Sequence, residues 1–401
     1  MSELITQRPG LTDFRWRLLA TASALTLLAL TVSEAKAEDS DRPTVWIELG
    51  GQLSRVENGQ EPYAPPFVAL TPSDFTSPLK AERPARYGFD ESAALSLQPK
   101  GSDWTFSASI RYGRSNNSKH ARQQSSPAYY TAYTKVHRSS YGVYRHFTGH
   151  FHIKPNAARF ADVVAKQNES HAIVDFQAGK DLGIGLFGRG ALSTLDIGVR
   201  FAQFASKSAI NLKENPDWKF KADFSTFSTA YDRYGYFYSV YIKALRPGQP
   251  YHSFAGAFEA SRSFTALGPS ISWNSSEPLA GNSEQGELAF DWGVNAALLF
   301  GRQKTKTHHQ TTALYHSEHA YVFHKTTAYV HPATHTRSRG VVVPNIGAFA
   351  GFSVKYPNAK VSFGYKADFF FGAMDGGIDV RHTEDVGFHG PYASVSIGLG
   401  G

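Results

Sequence analysis

The chain has 401 residues and a formal net charge of +7, with 41% hydrophobic, 19% charged and 14% aromatic residues. This composition excludes a disordered chain, which is poor in aromatic and apolar residues, and a coiled coil, which is dominated by helix-forming residues. The absence of cysteine excludes disulfides, thiolate catalysis and cysteine-ligated metal sites. The 20 Tyr, 29 Phe and 35 Gly favour strands and turns over a helical bundle.

The first segment has the features of a secretory signal. A basic flank at residues 15–17 precedes an apolar run at 18–30, and residues 35–37 have the small-x-small pattern of a processing site. The apolar run is shorter than the ~20 residues that a membrane-spanning helix needs, although an uncleaved anchor is the alternative. The pattern predicts a signal peptide over residues 1–37 and an exported, cysteine-free mature chain that begins near Glu38.

The mature chain, residues 38–401, alternates apolar and polar residues with a period of two, which is typical of strands. Each such segment has one apolar face and one face of small or charged residues. Ten strands are predicted, at 45–54, 89–98, 104–113, 171–180, 193–205, 253–275, 287–301, 341–356, 359–372 and 390–399.

Three features favour a membrane barrel over a soluble sandwich, which gives the same alternation. Most of the predicted strands are about ten to fourteen residues long, whereas strands of soluble sheets average about five or six. Aromatic residues such as Trp104, Trp292 and Phe371 stand near the ends of the apolar faces, as an interfacial girdle requires. The opposite faces carry Gly, Ser, Asn and single charges, which suit a narrow, water-filled interior.

The connections alternate between long and short, as they do in outer-membrane barrels with both termini in the periplasm. The short connections are 99–103, 181–192, 276–286 and 357–358. The long ones are predicted to be external loops, at about 55–88, 114–170, 206–252, 302–340 and 373–389. We therefore expect residues 38–401 to form a single barrel domain.

The segment 253–275 departs from the rule, because its apolar positions change parity between Phe258 and Leu267. We interpret it as one long strand with a β-bulge, since a hairpin here would raise the strand count to twelve. The predicted fold is all-β: an antiparallel, transmembrane, up-and-down β-barrel of about ten strands (8–12), with long extracellular loops and short periplasmic turns.

Three segments occur in the order found in a known barrel family. They are 198–204 (GVRFAQF), 264–273 (FTALGPSISW) and 293–302 (GVNAALLFGR). Together they resemble the pore-forming, major-outer-membrane-protein-like β-barrel family of Gram-negative bacteria, and the match covers about a third of the mature chain. The resemblance implies a porin-like protein of the outer membrane and supplies no catalytic residues.

Strand parity also predicts which charged side chains face the lumen. Charges on that face avoid lipid and would influence permeation, or else pair across a filled barrel. The predicted lumen-lining residues are Glu48, Arg111, Asp196, Arg200, Asp291, Lys366 and Asp368. The expected function is a passive channel for small solutes; an interior as narrow as that of ten strands also allows a closed lumen.

The histidines are concentrated, with five of 16 in the 114–170 gap and seven in the 302–340 gap. Imidazole is a common ligand of transition metals, so the second gap is a candidate metal- or haem-binding surface. The candidate ligands are His308, His309, His316, His319 and His324. The alternative is that polar external loops tolerate histidine freely, so no cofactor is expected.

Two other functions remain open. In the first, the barrel is only an anchor for a surface receptor or adhesin that binds through its long loops. A hydrolase of the omptin type would use Asp–His pairs such as Asp162 with His171, or Asp379 with His382. No G-x-S-x-G, H-E-x-x-H or phosphate-loop motif is present, and we expect no enzyme activity.

The expected partners follow from the location and the charge. The 302–340 gap carries several lysines and arginines, which suit lipopolysaccharide phosphates or anionic solutes. We expect contacts with outer-membrane lipid, lipopolysaccharide and small solutes, and none with nucleic acid, because the protein is exported. The sequence leaves the oligomeric state open.

Overall fold

The computed structural model describes residues 45–58, 87–99, 102–124, 137–138, 144–157, 160–182, 192–215, 219–231, 237–245, 251–282, 285–318 and 324–399. The predicted signal peptide lies outside these residues. No helix in the described part of the chain is long and apolar enough to cross a membrane.

Fourteen strands are present in the described residues, and all the strand pairings are antiparallel. They are β1 (Val45–Asn58), β2 (Tyr87–Leu97), β3 (Trp104–Gln124), β4 (His137–Arg138), β5 (Tyr144–Ala157), β6 (Phe160–Asp181), β7 (Leu192–Asn215), β8 (Lys219–Tyr231), β9 (Phe237–Leu245), β10 (Tyr251–Asn282), β11 (Gly286–Glu318), β12 (His324–Tyr356), β13 (Ala359–Asp375) and β14 (Thr383–Leu399).

Ten of these strands form a closed barrel in the order β1-β14-β13-β12-β11-β10-β7-β6-β3-β2. The ring closes because β1 pairs with both β14 and β2. Each of the ten predicted strands corresponds to one barrel strand, so the prediction of a ten-stranded antiparallel barrel is confirmed. Strands β4, β5, β8 and β9 form a separate four-stranded sheet.

We call the end of the barrel that contains Val45 and Leu399 the lower end, and the opposite end the upper end. The turn between Tyr356 and Ala359 at the lower end contains only two residues, as predicted. The upper end differs from the prediction, because strands continue into what the sequence analysis treated as loops. The predicted loop at 302–340 is wrong for residues 302–318 and 324–340, which extend β11 and β12.

The same difference affects the other predicted loops. Strand β3 continues to Gln124 and β6 begins at Phe160, so both ends of the 114–170 segment are strand. The 206–252 segment contains the end of β7 and the strands β8 and β9. In the 373–389 segment, only residues 376–382 separate β13 from β14. These upper strand segments lie beyond the apolar belt described below, so they lack the apolar alternation by which strands were predicted from the sequence.

Strand β10 is a single strand of 32 residues, as predicted, but the reason given for its change of parity is wrong. Its pairing with β7 is continuous from Phe254 to Ser276, and the irregularity lies lower, between Pro278 and Ala280. The parity changes because Leu267 and Ile271 are exposed on the outer face, whereas Phe258 and Phe264 are buried in the interior. Two different apolar environments, one on each side of the wall, account for the pattern.

Exposed apolar side chains surround the barrel and form a surface that we call the apolar belt. Every one of the ten strands contributes at least one large example: Leu49, Phe89, Phe106, Phe176, Ile197, Leu267, Phe300, Ile346, Phe363 and Val395. On β11 the apolar outer positions run from Leu288 to Phe300, after which Arg302 begins a polar stretch. That span is about 40 Å along the strand at ~3.3 Å per residue, and a tilt of ~45° reduces it to about 28 Å, close to the thickness of a hydrocarbon core.

Candidate functional site: the interior of the barrel

The seven charged residues predicted to line the lumen all lie at inner-face positions of their strands. Arg111 on β3 donates from Nη1 to Asp368 Oδ2 on β13 at 2.6 Å. Three strands separate β3 from β13 in the ring, so this contact crosses the interior. Lower down, Asp291 accepts from Lys360 Nζ at 2.6 Å, and Asp196 accepts from Asn274 Nδ2 at 2.8 Å. The remaining residues are Glu48, Arg200 and Lys366, which line cavities in the interior.

Two ion pairs form a charged layer across the middle of the barrel. Besides the Arg111–Asp368 pair, Arg200 donates from Nε to Asp175 Oδ1 at 2.7 Å. The Arg200 guanidinium also donates to the side-chain oxygens of Asn295 and Asn345, on β11 and β12. Both arginines are buried, and such groups are stable only when paired and hydrogen-bonded. This layer therefore connects opposite walls through charges that neutralise one another.

A buried histidine, His171, lies just above this layer, and its partner differs from the one expected from the sequence. His171 Nε2 is 3.1 Å from Asp90 Oδ2, and Ser54 donates to the other oxygen of that carboxylate at 2.6 Å. Gly113 makes room for the pair, since a Cβ atom there would lie 2.2 Å from both Asp90 Oδ1 and His171 Cε1. The omptin-like pairing of Asp162 with His171 is absent; Asp162 Oδ1 instead lies 2.7 Å from His120 Nε2.

Above the histidine, an apolar septum fills the barrel. Phe204 on β7 packs against Phe370 on β13 and Phe388 on β14, with ring centroids 4.7 and 5.3 Å apart. Strand β7 neighbours neither β13 nor β14 in the ring, so the rings meet inside the lumen. The septum consists of Val56, Ile173, Ala202, Phe204, Phe264, Ala266, Ala297, Leu299, Val343, Phe370, Ala373, Met374, Val386 and Phe388, all of them buried.

The upper mouth is occupied by a strap, which we define as residues 373–382. The β13–β14 pairing is interrupted between Phe370 and Met374, where Gly372 adopts a φ of +68° that favours glycine. Beyond it, six consecutive residues, 373–378, are buried, which breaks the alternation expected of a strand. The chain therefore bends inward at Gly372, pairs briefly with β14 again at Met374 and Asp375, and crosses the interior over residues 376–382 before β14 begins.

Two arginines and two threonines fasten the strap to the wall. Arg262 on β10 donates to the carbonyl oxygens of Asp375 and Gly376 at 2.9 and 3.1 Å. Arg337 on β12 donates to the Asp375 carboxylate at 2.7 Å and to the carbonyl oxygens of residues 377 and 378 at 2.8 and 2.9 Å. Thr305 and Thr307 on β11 add bonds to strap carbonyls. Buried carbonyls of the strap thus find donors in the barrel wall.

Below the charged layer, the interior opens into a polar chamber of about 280 Å³ near the lower end. The chamber contains both signs of charge: it is lined by Glu48, by Lys366 and by the Asp291–Lys360 ion pair. Serine, threonine and asparagine side chains supply most of the remaining polar lining, and Phe349 and Tyr392 supply an aromatic part. A small, polar solute with both donors and acceptors fits this environment best.

Of the five histidines predicted as metal ligands, the described side chains do not form one group. His308 and His309 are consecutive in β11, so they point to opposite faces; His308 contacts Thr334 on the outer face. The side chains of His316 and His324, and the whole of His319, lie outside the described part of the structure. His309 instead meets Asp379 of the strap and lies near His335 on β12. His382 contacts Glu384 rather than Asp379.

A scan against protein-family models and a search of curated proteins gave no match. Among solved structures, the chain is similar to the transport unit of the autotransporter AIDA-I from Escherichia coli, at 7% identity and a TM-score of 0.24, with 93% of this chain and 97% of that chain covered. It is also similar to a TodX deltaS2S3 mutant monoaromatic hydrocarbon channel, at 8% identity and a TM-score of 0.22, with coverage of 89% and 91%. Both TM-scores are low, so neither likeness indicates what this barrel binds. Membership of the major-outer-membrane-protein-like family stays a prediction.

Proposed function

We propose that the chain is an outer-membrane β-barrel that is closed to free diffusion and anchors a binding surface at its upper, extracellular end. The apolar belt supports a membrane location, because so large an exposed apolar surface is stable against lipid rather than water. Closure of the ring supports it too, since no backbone group at an open edge would remain unpaired in lipid. The two-residue turn at the lower end suits the periplasmic side.

The septum is the observation on which this function depends. Eight large apolar side chains are almost completely buried in it: Ile173, Phe204, Phe264, Leu299, Val343, Phe370, Met374 and Phe388. Burial of such side chains stabilises by about 1.5–3 kcal/mol each, so reopening the lumen would cost about 12–24 kcal/mol in total. All septum residues except Ala373 and Met374 lie outside the strap on wall strands, so movement of the strap alone leaves most of the septum in place. Thermal motion does not open such a barrier often enough for a passive pore.

The upper end offers the surface that an anchor would present. Strands β11 and β12 have 33 residues each, although about 9–11 suffice for a tilted strand to cross the membrane. Their upper halves therefore stand well above the lipid. This supports the receptor or adhesin alternative, in which the barrel holds a rigid hairpin for contact with a partner.

Planar-bilayer conductance tests the closed state. We expect the folded wild-type protein to give no discrete conductance steps at any voltage that the bilayer tolerates. A triple variant with Phe204→Ala, Phe264→Ala and Phe388→Ala removes the centre of the septum and is the positive control for a lumen that conducts once it is emptied. Regular steps from the wild type would contradict the proposal, and migration of folded against boiled protein on a gel establishes that each sample is folded.

Deletion of the upper hairpin tests the anchoring role. Replacing residues 307–335 by Asn-Gly removes the hairpin above the registered pair Lys306 and Thr336 and preserves the belt. We expect cells that display this variant to lose attachment to the surfaces that wild-type cells bind, while the barrel still migrates as a folded species. Equal attachment by both strains would contradict a role for this hairpin.

A gated channel is the second candidate, and the polar chamber favours it. The chamber lies below the charged layer and is lined by Glu48, Lys366 and the Asp291–Lys360 ion pair, which suits a polar solute held below a closed gate. This candidate keeps the porin-like interpretation but requires an energy source or ligand that opens the septum. Solute uptake into vesicles that contain the wild type, absent from vesicles with Lys366→Gln, would favour it over the anchor.

A further inference from the structure

Three side chains from three elements converge at the upper mouth of the barrel. His309 Nε2 on β11 is 2.8 Å from Asp379 Oδ1 of the strap, and His335 Nε2 on β12 is 3.1 Å from the same oxygen. One ligand atom from each of the three lies within 4.8 Å of the others. Two imidazole nitrogens thus point at a single carboxylate oxygen, although the residues are far apart in sequence.

The backbone holds this arrangement in place. Thr307 pairs with His335 in the β11–β12 register, so His335 and His309 are diagonal neighbours on the inner face. The His309 side chain is only 1% exposed, and its ring has little room to turn away from the strap. On the strap side, Thr307 and Arg337 bind the carbonyl oxygen of Ile378, the residue before Asp379. The three groups are therefore brought together before any ligand arrives.

The donor set suits one class of ion. Imidazole nitrogens are preferred by zinc, copper and nickel, whereas calcium and magnesium take oxygen ligands. Ligand atoms ~2.0–2.1 Å from a tetrahedral zinc lie about 3.4 Å apart, so the two histidine–carboxylate separations need lengthen by only a few tenths of an ångström. The positive charge of nearby Arg337 is compensated by the Asp375 carboxylate, with which its guanidinium pairs at 2.7 Å.

We propose that His309, His335 and Asp379 form a site for a divalent transition metal of the zinc class. Three protein ligands leave a fourth position for water or for a further group, and the His331 ring lies 5.8 Å from His309 on the same wall. The Asp379 side chain is 58% exposed, which gives the ion access from the upper mouth. A bound ion would tie the strap to β11 and β12 and so reinforce closure of the mouth.

Zinc binding to the full, untagged chain folded in detergent tests the site. We expect one zinc per chain by isothermal titration calorimetry, and His309→Gln and His335→Gln to weaken binding at least about tenfold, since loss of even an outer-shell partner commonly costs 10–100-fold. The matched control is His308→Gln, because His308 adjoins His309 in sequence but bonds to Thr334 on the outer face. That variant is expected to bind zinc as the wild type does.

Further readouts separate ligation from a structural role of the same residues. Cobalt(II) in place of zinc is expected to give the strong visible absorption of a tetrahedral site, lost in Asp379→Asn as well as in the histidine variants. Zinc is also expected to slow hydrogen exchange at the strap amides. If buried His309→Gln fails to fold on the gel, the more exposed His335 and Asp379 variants decide the question.

Absence of stoichiometric zinc binding by the wild type would overturn the proposal. So would affinity unchanged by His335→Gln and Asp379→Asn, or an equal loss in His308→Gln. None of these results depends on conductance or on attachment of cells, so failure of the metal site is distinguishable from failure of the proposed anchoring function.

Discussion

The lower half of the barrel wall carries its apolar residues on the outer face, whereas the upper half carries them on the inner face. In the lower half the outer face is apolar and the inner face is polar, as Ile271 and Ser272 of β10 illustrate. Higher on the same strand, Phe264 is buried inside while Thr265 is exposed outside. The difference indicates that the lower wall is adapted to lipid, whereas the upper wall has a protein core of its own.

This comparison predicts that the two kinds of phenylalanine respond differently to truncation. Phe264→Ala empties part of a close-packed core, and we expect it to lower the free energy of unfolding by about 3–5 kcal/mol. Phe363, 55% exposed on the apolar belt, is the matched control, since lipid chains fill the space that its ring leaves. Urea titration in lipid vesicles, followed by gel mobility, measures both variants. Similar losses for the two would contradict the assignment of separate environments.

The second prediction places a new charge on the outer face at two heights. Ile271→Arg puts the charge near the middle of the belt, where we expect a loss of about 2–4 kcal/mol in the free energy of unfolding. Ser263→Arg puts it on the same face of the same strand, above the boundary that Arg302 marks, where we expect a change within about 0.5 kcal/mol. The same vesicle-based titration applies. A penalty at Ser263 equal to that at Ile271 would show that the belt extends higher than the exposed residues indicate.

The lower wall was predictable because lipid imposes an unbroken apolar face on each strand. Residues 287–301 and 359–372 alternate cleanly for this reason, and the parity of these and the other barrel strands put the seven predicted charged residues at inner-face positions. The upper wall was not predictable in this way, because its outer face is polar and its inner face is a mixture of apolar and polar residues. Thr305, Thr307 and Thr311 are good strand formers, but they carry no apolar alternation.

The interior site was predictable only in part, since its contacts join residues distant in sequence. Parity placed Arg111 and Asp368 on the inner face but not opposite each other across three intervening strands. His309 was identified as a candidate ligand, whereas His335 meets it through the β11–β12 register and Asp379 only because the strap folds inward at Gly372. Gly372 and the glycine pair at 376–377 were the local signals of that bend. Strand register and a change of chain direction supply information that residue spacing lacks.

A third prediction concerns the attachment of the strap to the upper wall. Arg337→Ala removes donors to three strap carbonyls and the partner of the Asp375 carboxylate. We therefore expect the free energy of local opening of the strap to fall by about 1.5–3 kcal/mol. Hydrogen exchange at residues 376–382 measures this opening, and amides of the lower belt should exchange as in the wild type. Arg339→Ala is the control, because Arg339 is an exposed arginine two positions along the same strand. Equal acceleration of exchange in both variants would mean that Arg337 does not hold the strap.

The smallest effect on stability is expected on the outer face just above the belt. Arg302, Lys304 and Lys306 are exposed there on β11, and Lys306 shares a row with Lys207 through Ser261, two strands or about 10 Å across. This spacing of cations above an apolar boundary suits the phosphates of an anionic lipid headgroup such as lipopolysaccharide.

Replacing Lys306 and Lys207 by Gln should therefore leave the free energy of unfolding within about 0.5 kcal/mol of the wild type, as for other surface changes. The same double variant should weaken binding to lipopolysaccharide vesicles by about 1 kcal/mol for each lysine, an effect that high salt removes. Glu259→Gln, which removes an exposed negative charge from the next row, should strengthen that binding. If all these variants bind equally well, the upper outer face is merely solvated, and the contrast between the two halves of the wall is then confined to its interior.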